Sequence, residues 1–216
     1  LPSPQMGWYQ RKKSQHFEFL RPLVEEISEI IGIDPWHLIC DSFVSEEKCL
    51  EKETCRIQLA SDVDVFLAIL TERYASLGID REPVAYVKNN RGTYGLGIMT
   101  VTSGNELLNL SNRKMKKLMY GKGSSDTEDF LIQEGVPTLM KTDTGAPVEP
   151  VVYLVDGDAS SWFYRTNPKK DEIGNLNSPS ARFVTSEEDS TYMTHAHNWH
   201  ALLSELSMLA MGLESA

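Results

Sequence analysis

Apolar residues in the first part of the chain recur at intervals of three and four positions, which is the spacing of an amphipathic helix. One such run extends over residues 17–31 and stops at Gly32, so it predicts a helix terminated by that glycine. Pro22 lies within the run and is expected to kink the helix or to begin its main part. Asp34-Pro35-Trp36 predicts a short second helix, because aspartate is a favoured N-cap and proline suits the first turn.

A third helix is predicted from Ser61 or Asp62 to Gly78, so the first part of the chain should be largely helical. The pattern then changes to short runs rich in strand-forming residues at 84–87 and 98–101. These runs predict two strands.

The second half of the chain predicts one more helix, a loop, three strands and a closing helix. Ser103-x-x-Glu106 is a capping box, and the helix that it opens is expected to reach Met119. The polar segment 121–129, rich in glycine and serine, is expected to be a mobile loop. Strands are predicted at 130–133, 150–155 and 162–165, and a helix at 197–211 with Trp199, Leu202, Leu203, Leu206 and Leu209 facing inward.

Composition and charge limit what such a protein binds. The chain has 216 residues with 31 acidic and 21 basic side chains, which gives a formal net charge of -10. This surplus makes extended binding to nucleic acid or to an anionic membrane unfavourable, so we expect neither partner. No apolar run approaches the length of a transmembrane helix. The three cysteines Cys40, Cys49 and Cys55 fit neither a disulfide framework nor a zinc motif, so we expect reduced thiols and a cytoplasmic location.

A glycine-rich segment between the first two predicted strands is the first candidate for chemistry. Its glycines Gly92, Gly95 and Gly97 follow neither the order of a dinucleotide fingerprint nor that of a Walker loop, and the segment joins strand to strand. It therefore predicts a hairpin whose tip folds over a ligand, with backbone N–H groups close to phosphate oxygens. Lys88 ends the preceding strand, where its ammonium can meet the same phosphates. The alternative interpretation is an ordinary β-hairpin with a solvated lysine.

Three further features favour a nucleotide site. Gln133-Glu134-Gly135-Val136 ends a strand with a carboxylate and a turn, as expected of a hinge that hydrogen-bonds an adenine edge. Glu149 precedes an apolar strand, where it can accept from ribose hydroxyls or approach a cation. Arg165 ends a strand that faces Asn175-Leu176-Asn177. The arginine supplies a cation for phosphate oxygens, and the asparagines supply amide oxygens for a magnesium ion. Taken singly, solvated strand ends, a surface ion pair and turn-forming asparagines explain these residues at least as well.

The order of these features is that of an ATP-grasp nucleotide site. Within that superfamily the chain closely resembles the proteobacterial glutamate–cysteine ligases of the ATP-grasp type, which make γ-glutamylcysteine for glutathione. The resemblance covers roughly residues 7–184 and looks like the C-terminal part of the family's chain. The matching stretches are Gly7–Phe17, Ile31–Trp36, Val87-Lys88, Gly92–Val101, Ile132–Val136, Glu149–Tyr153, Phe163–Arg165 and Asn175–Asn177.

The resemblance implies an α+β, ATP-grasp-like nucleotide-binding fold with a helical N-terminal segment. Its implied domains are a mainly helical segment at 1–83 that contributes to the substrate region, an ATP-grasp subdomain with the glycine-rich hairpin at 84–134, and a C-terminal ATP-grasp subdomain at 135–216. The family's N-terminal region, which should help to form the amino-acid site, is expected to lie outside these residues.

The resemblance also implies roles for individual residues. Lys88 and Arg165 are the implied catalytic side chains, with Arg165 stabilising the transferring phosphoryl group. The segment Arg11-Lys12-Lys13-Ser14 is implied to bind a substrate carboxylate or phosphates, and a solvated basic turn is the alternative. The residues implied to bind ATP are Lys88, Gly92, Thr93, Tyr94, Gly95 and Gly97 at the phosphates, Gln133, Glu134 and Val136 at the adenine, and Glu149 at the ribose or a metal.

The expected cofactors are ATP and Mg2+, but the implied metal ligands depart from the wider superfamily pattern. Many ATP-grasp proteins carry Glu-x-Asn in the last loop, where this chain has Asn175-x-Asn177. Glu149, Asp156 or Asp158 is expected to supply the missing negative charge. The implied magnesium ligands are Glu149, Asp156, Asn175 and Asn177.

In the implied reaction the γ-carboxylate of glutamate attacks the γ-phosphoryl group of ATP, and the amine of cysteine then displaces phosphate from the acyl phosphate. The implied partners are these small molecules. Three alternatives stay open: an ATP-grasp ligase for another carboxylate and amine, a nucleotide-binding fragment that is inactive without its N-terminal region, and a purely structural domain.

Overall fold

The computed structural model describes residues 11–46, 49–91, 95–119, 129–185 and 197–214. Most of the predicted loop at 121–129 therefore lies outside the described residues, as do Gly92, Thr93 and Tyr94. The helices are α1 (Lys13–Ile31), a 3-10 helix (Pro35–His37), α2 (Glu53–Ser76), α3 (Asn105–Leu108), α4 (Asn112–Met119) and α5 (His197–Glu214). The strands are β1 (Ser42–Ser45), β2 (Ala85–Asn89), β3 (Ile98–Val101), β4 (Phe130–Glu134), β5 (Val148–Val155), β6 (Asp158–Thr166) and β7 (Arg182–Val184).

The described chain divides into two compact units. The first contains residues 40–136 together with 11–14, and the second contains 15–39 together with 137–214. Both units combine helices with an antiparallel sheet, so the α+β prediction is confirmed. The domain boundaries implied at 83 and 134 rest on the sequence and stay predictions.

The first unit is built on a four-stranded antiparallel sheet, here called sheet A, with the order β1-β4-β2-β3. Alternate residues of β2 are buried, because successive side chains of a strand point to opposite faces. One face of sheet A packs on α2, α3 and α4. The fully or nearly fully buried residues of this core include Leu59, Val63, Leu70, Val87, Val101, Leu107, Phe130 and Ile132.

Helix α2 is longer than the sequence pattern predicts. It begins at Glu53, whereas the predicted start was Ser61 or Asp62, and this prediction is wrong. The reason is that Lys52 occupies the N-cap position without a side-chain capping bond, so the sequence carries no start signal. The predicted end is confirmed, since Gly78 has a φ of 68° and terminates the helix.

The predicted helix from the capping box to Met119 is wrong, because the structure has two helices, α3 and α4, separated at 109–111. The capping glutamate is used differently from the prediction. Glu106 Oε1 accepts from the backbone N–H of Thr102 at 2.8 Å, and Gly104 is the N-cap of α3. The N–H of Gly104 donates to Asp64 Oδ1 at 2.6 Å, which joins the start of α3 to α2.

We expect Gly104→Ala to lower the free energy of unfolding by about 3 kcal/mol, because the added methyl group forces a backbone to move. A Cβ at Gly104 would lie 2.1 Å from the carbonyl oxygen of Ala60 in α2. The φ of Gly104 is -62°, so the requirement for glycine here is steric and not conformational. Urea-induced unfolding measures the loss.

Gly212→Ala is the matched control, because Gly212 lies inside α5 and a Cβ there meets nothing within 4 Å. This variant should be more stable than the wild type by about 0.5–1 kcal/mol, since alanine is the better helix former. Equal stability of the two variants would contradict the close approach at Gly104.

The second unit contains a three-stranded antiparallel sheet, here called sheet B, with the order β5-β6-β7. Helices α1 and α5 meet through Val24 and Leu206, and α1 ends at Gly32 with a φ of 72°, as predicted. The predicted inward face of α5 is wrong in part. Trp199 and Leu209 are 46% and 56% exposed, while Leu206 and Ala210 are buried.

Candidate functional site

Lys88 lies on the face of sheet A that is opposite to the helical core. Its neighbours on β2, Val87 and Asn89, are buried, and Lys88 itself is half-buried. Its ammonium donates to Gln133 Oε1 at 2.6 Å and lies 5.1 Å from the ring centroid of Tyr86. Burial lowers the pKa of Lys88, because the charged form loses hydration. This face therefore holds a partly desolvated cation, which an anionic ligand would stabilise.

A second ammonium group, that of Lys13, lies near Lys88. Lys13 Nζ donates to the carbonyl oxygens of Asn89 at 2.8 Å and Asn90 at 3.3 Å. The pKa of Lys13 is lowered to about 8, chiefly by burial and in addition by the positive charge of Lys88. A ligand with several negative charges would relieve both the repulsion between these two ammonium groups and their loss of hydration.

The segment at residues 11–14 is fixed beside the start of the glycine hairpin by Asn90. Asn90 Oδ1 accepts from the N–H of Ser14 at 2.9 Å, and Asn90 Nδ2 donates to Ser14 Oγ at 2.8 Å. Lys12 in the same segment forms an ion pair with Asp129 at 2.9 Å. The structure thus brings three predicted substrate-binding residues, Lys12, Lys13 and Ser14, next to the predicted ATP-binding strand.

Asn89 and Asn90 are functional candidates that sequence reasoning missed. Both are almost fully buried, and Asn89 Nδ2 donates to the carbonyl of Met119 at 2.9 Å. Two adjacent asparagines after a strand look like ordinary turn residues in the sequence. Their burial, which the sequence pattern does not show, indicates that they anchor the hairpin.

The glycine-rich segment joins β2 to β3 in an antiparallel pair, as predicted, with Lys88 opposite Ile98. Gly95 and Gly97 have φ values of 69° and 66°, in the left-handed region that favours glycine. A Cβ at Gly97 would lie 3.0 Å from the carbonyl of Leu118, so the hairpin also needs glycine for its close approach to α4.

Glu134 ends β4 on the helical side of sheet A and not on the side of Lys88. It is 1% exposed, and its Oε1 accepts from the hydroxyl of Tyr74 at 2.8 Å. Its Oε2 accepts from the N–H of Asp41 at 3.3 Å. The carboxylate is therefore engaged within the core, and a contact of this segment with adenine would use backbone groups. The first compact unit ends two residues later, at Val136.

A second group of predicted site residues lies on sheet B, in the other unit. Glu149 and Arg165 face each other across β5 and β6, and Arg165 Nε donates to Glu149 Oε1 at 2.6 Å. Phe183 of β7 is the cross-strand neighbour of Arg165 on the other side. Both members of the ion pair are partly exposed, so each is accessible to a ligand.

The loop with Asn175 and Asn177 is held close to the end of β6 by Asn167, another residue that the sequence analysis missed. Asn167 is fully buried, and its Nδ2 donates to Ser178 Oγ at 2.8 Å and to the carbonyl of Leu176 at 3.3 Å. Asn167 follows Arg165 by two positions, so this anchor brings the Asn175–Asn177 segment near the arginine. Asn175 Oδ1 accepts from the N–H of Asn177 at 3.1 Å.

The implied magnesium ligands are brought together only in part. Asp156 has a φ of 53° at the tip of the β5–β6 hairpin, seven positions from Glu149 along the strand and thus about 20 Å away. Among the described residues, no group of three or more His, Cys, Asp or Glu side chains is arranged to hold a metal ion. The oxygen atoms of Glu149 and the Asn175–Asn177 segment fit the ligand chemistry of Mg2+, which commonly takes one or two carboxylates together with phosphate oxygens.

Two antiparallel sheets with associated helices define a mixed α/β protein, and its first unit carries the two partly desolvated ammonium groups of Lys13 and Lys88. The model of the family described as "GshA: Glutamate-cysteine ligase" matches residues 1–211. The chain therefore belongs to the glutamate–cysteine ligase family. A comparison with curated proteins gave no significant match.

Comparison with solved structures supports this family. A crystal structure described as a "Putative gamma-glutamylcysteine synthetase" from Methylobacillus flagellatus KT aligns with a TM-score of 0.80 and 31% sequence identity. The alignment covers 96% of this chain and 51% of that chain. The present chain thus spans about half the length of the solved protein that it matches. None of the helices in the described ranges is long and apolar enough to cross a membrane.

Proposed function

We propose that this chain is part of an ATP-dependent ligase that joins the γ-carboxylate of glutamate to the amine of cysteine, which gives γ-glutamylcysteine for glutathione synthesis. The proposed enzyme is of the ATP-grasp type, like the proteobacterial glutamate–cysteine ligases that the sequence resembles. The observation that carries the proposal is the pair of partly desolvated ammonium groups of Lys13 and Lys88, which lie close enough for the charge of Lys88 to lower the pKa of Lys13. A nucleoside triphosphate carries several negative charges, which would neutralise these two ammonium groups.

The chain's residues position ATP and neutralise its charge. Lys88 and Lys13 bind phosphate oxygens, and backbone N–H groups of the hairpin 92–97 approach the same oxygens. Gln133 and the backbone of 134–136 contact the adenine. Arg165 stabilises the phosphoryl group in transfer, when the glutamate carboxylate attacks it and ADP leaves. Such a reaction depends on positioning and electrostatics and requires no protein nucleophile.

Magnesium would be held by Glu149 and the Asn175–Asn177 segment together with phosphate oxygens of ATP. The ion would neutralise charge on the phosphates as the phosphoryl group moves. Glu149 already accepts a hydrogen bond from Arg165, so the carboxylate also sets the direction of the guanidinium group. Asp156 lies at the tip of the β5–β6 hairpin, so its position does not support a role as a magnesium ligand beside Glu149.

The proximity of Lys13 to Lys88 favours phosphate over an amino-acid carboxylate as the ligand of residues 11–14. We further propose a cytoplasmic enzyme, in keeping with three cysteines that are all free thiols. Its partners are glutamate, cysteine and ATP, and the charge of -10 favours neither nucleic acid nor a membrane surface.

The test of this function is ADP release by the purified chain with Mg-ATP, glutamate and cysteine. Release that requires both amino acids supports the proposal, and mass spectrometry should find γ-glutamylcysteine. Release with another carboxylate and amine would favour a ligase of different specificity. Calorimetric binding of Mg-ATP without turnover would indicate that this chain binds the nucleotide but needs a further part of the enzyme for activity. This alternative is specific, because the chain aligns with only 51% of the solved relative.

Affinity for Mg-ATP should fall as the pH rises through about 8, because Lys13 loses its proton there. The folded-state pKa of Lys13 is lowered, so the ammonium form that binds phosphate is fully present only below that pH. Above it, the dissociation constant should increase by up to about tenfold per pH unit, since binding then requires proton uptake. Isothermal titration at pH 7, 8 and 9 measures this change.

The Lys13→Arg variant is the matched control, because a guanidinium stays protonated throughout this range. Its affinity should change less between pH 7 and 9 than that of the wild type. An identical pH dependence in the two proteins would show that Lys13 does not bind the nucleotide.

A further inference from the structure

Cys40, which lies just before β1, contacts the side chain that holds Lys88. Its Sγ lies 2.7 Å from Gln133 Nε2, while Gln133 Oε1 accepts from Lys88 Nζ at 2.6 Å. The amide of Gln133 is therefore bound at both ends, by a thiol on one side and an ammonium group on the other. All three residues belong to the first compact unit.

The chemistry of the lysine fixes the orientation of this amide. An ammonium group has three donors and no acceptor, so the oxygen of Gln133 must face Lys88. The NH2 group then faces Cys40, whose sulfur is the acceptor. Burial raises the pKa of the Cys40 thiol, so the sulfur is neutral and its role is that of a weak acceptor rather than a counter-ion.

We propose that Cys40 is a positioning residue of the nucleotide site, which acts through the amide of Gln133 on the ammonium group of Lys88. This inference rests on the function proposed above, since it takes Lys88 as a ligand of ATP phosphate. Without the sulfur, the NH2 group of Gln133 loses its acceptor, and only the hydrogen bond with Lys88 still holds the amide. An amide held at one end moves more freely, so the ammonium of Lys88 is held less firmly in the position that meets the phosphates.

Three cysteine variants test the proposal by isothermal titration with Mg-ATP at pH 7. Cys40→Ala should bind about fivefold more weakly, the effect of one lost hydrogen bond. Cys40→Ser retains an acceptor and should bind within about twofold of the wild type. Cys49→Ala is the matched control at a cysteine outside this contact, and its affinity should be unchanged. Circular dichroism melts verify that each variant is folded.

A double-mutant cycle separates positioning from a general structural effect. In a Gln133→Ala background, Cys40→Ala should cause no further loss of affinity, because the residue through which it acts is gone. If Cys40→Ala proves unstable, Cys40→Val fills the same space without an acceptor and should show the same fivefold loss.

The outcomes distinguish this inference from the proposed function. A wild-type chain that does not bind Mg-ATP would overturn the proposed function, and the role of Cys40 with it. A wild-type chain that binds, with equal affinity in Cys40→Ala, would overturn the role of Cys40 alone. A loss of affinity that persists undiminished in the Gln133→Ala background would also overturn it, since Cys40 would then act by another route.

Discussion

A Lys88→Met variant is expected to bind Mg-ATP at least about 100-fold more weakly than the wild type. The change removes the cation from the proposed pair of Lys88 with a phosphate oxygen, and losing one member of a desolvated charge pair costs several kcal/mol. The variant should nevertheless be at least as stable to heat. Both results come from the same feature of the molecule, which is that the ammonium of Lys88 is placed on sheet A where burial removes much of its hydration.

The stability side of this prediction follows from the direction of the pKa shift. Burial lowers the pKa of Lys88 in the folded state below its value of 10.5 in the unfolded chain, so at neutral pH the protonated lysine favours unfolding. This penalty is present below the folded-state pKa and is relieved as the pH rises towards the unfolded value. Methionine has a similar length and no charge, so it removes the penalty at every pH. Binding sites commonly retain such destabilising groups because the ligand needs them.

Lys114→Met is the matched control, because Lys114 is an exposed lysine on α4. Its affinity for Mg-ATP and its melting temperature should both stay close to those of the wild type. Calorimetry and thermal unfolding are sufficient for the comparison. Normal affinity in Lys88→Met would remove the cation from the nucleotide site, and a large drop in melting temperature would show that Lys88 stabilises the fold instead.

The strands around the candidate site could be predicted because their sequence pattern and their role coincide. Residues 84–87 and 130–133 form continuous or alternating apolar runs, and both are strands in the structure. Lys88 directly follows the first of these runs, and it lies near the end of β2, as its position in the sequence indicates. What the pattern did not show was the orientation of the neighbouring carboxylate, because Glu134 lies one residue beyond Gln133 and therefore on the opposite face.

The pattern of apolar and polar positions does not show contacts between residues that are distant in sequence. Ser14 and Asn90 bind each other across 76 positions, and Cys40 and Gln133 across 93. No local signal marks a polar residue whose partner is far away, so the asparagines looked like turn formers and the cysteine like an isolated thiol. The same limitation explains the missed strand β1, which is four residues long and gains its stability from pairing with β4.

An Arg165→Met variant is expected to bind Mg-ATP nearly as well as the wild type but to release ADP about 1000-fold more slowly, because arginine groups that stabilise a transferring phosphoryl contribute most in the transition state. The loss should therefore appear in kcat and not in KM for ATP. The fold should tolerate the change within about 1 kcal/mol, since a partly exposed ion pair such as Arg165 with Glu149 contributes little to stability.

Two arginine variants define the reason for the loss. Arg165→Lys keeps the charge but not the planar group whose Nε contacts Glu149, so it should recover only part of kcat. Arg182→Met removes an exposed arginine from the adjacent strand β7 and should turn over normally. If Arg165→Met raises KM for ATP and leaves kcat unchanged, the arginine binds ground-state ATP, and its proposed role in the transition state is wrong.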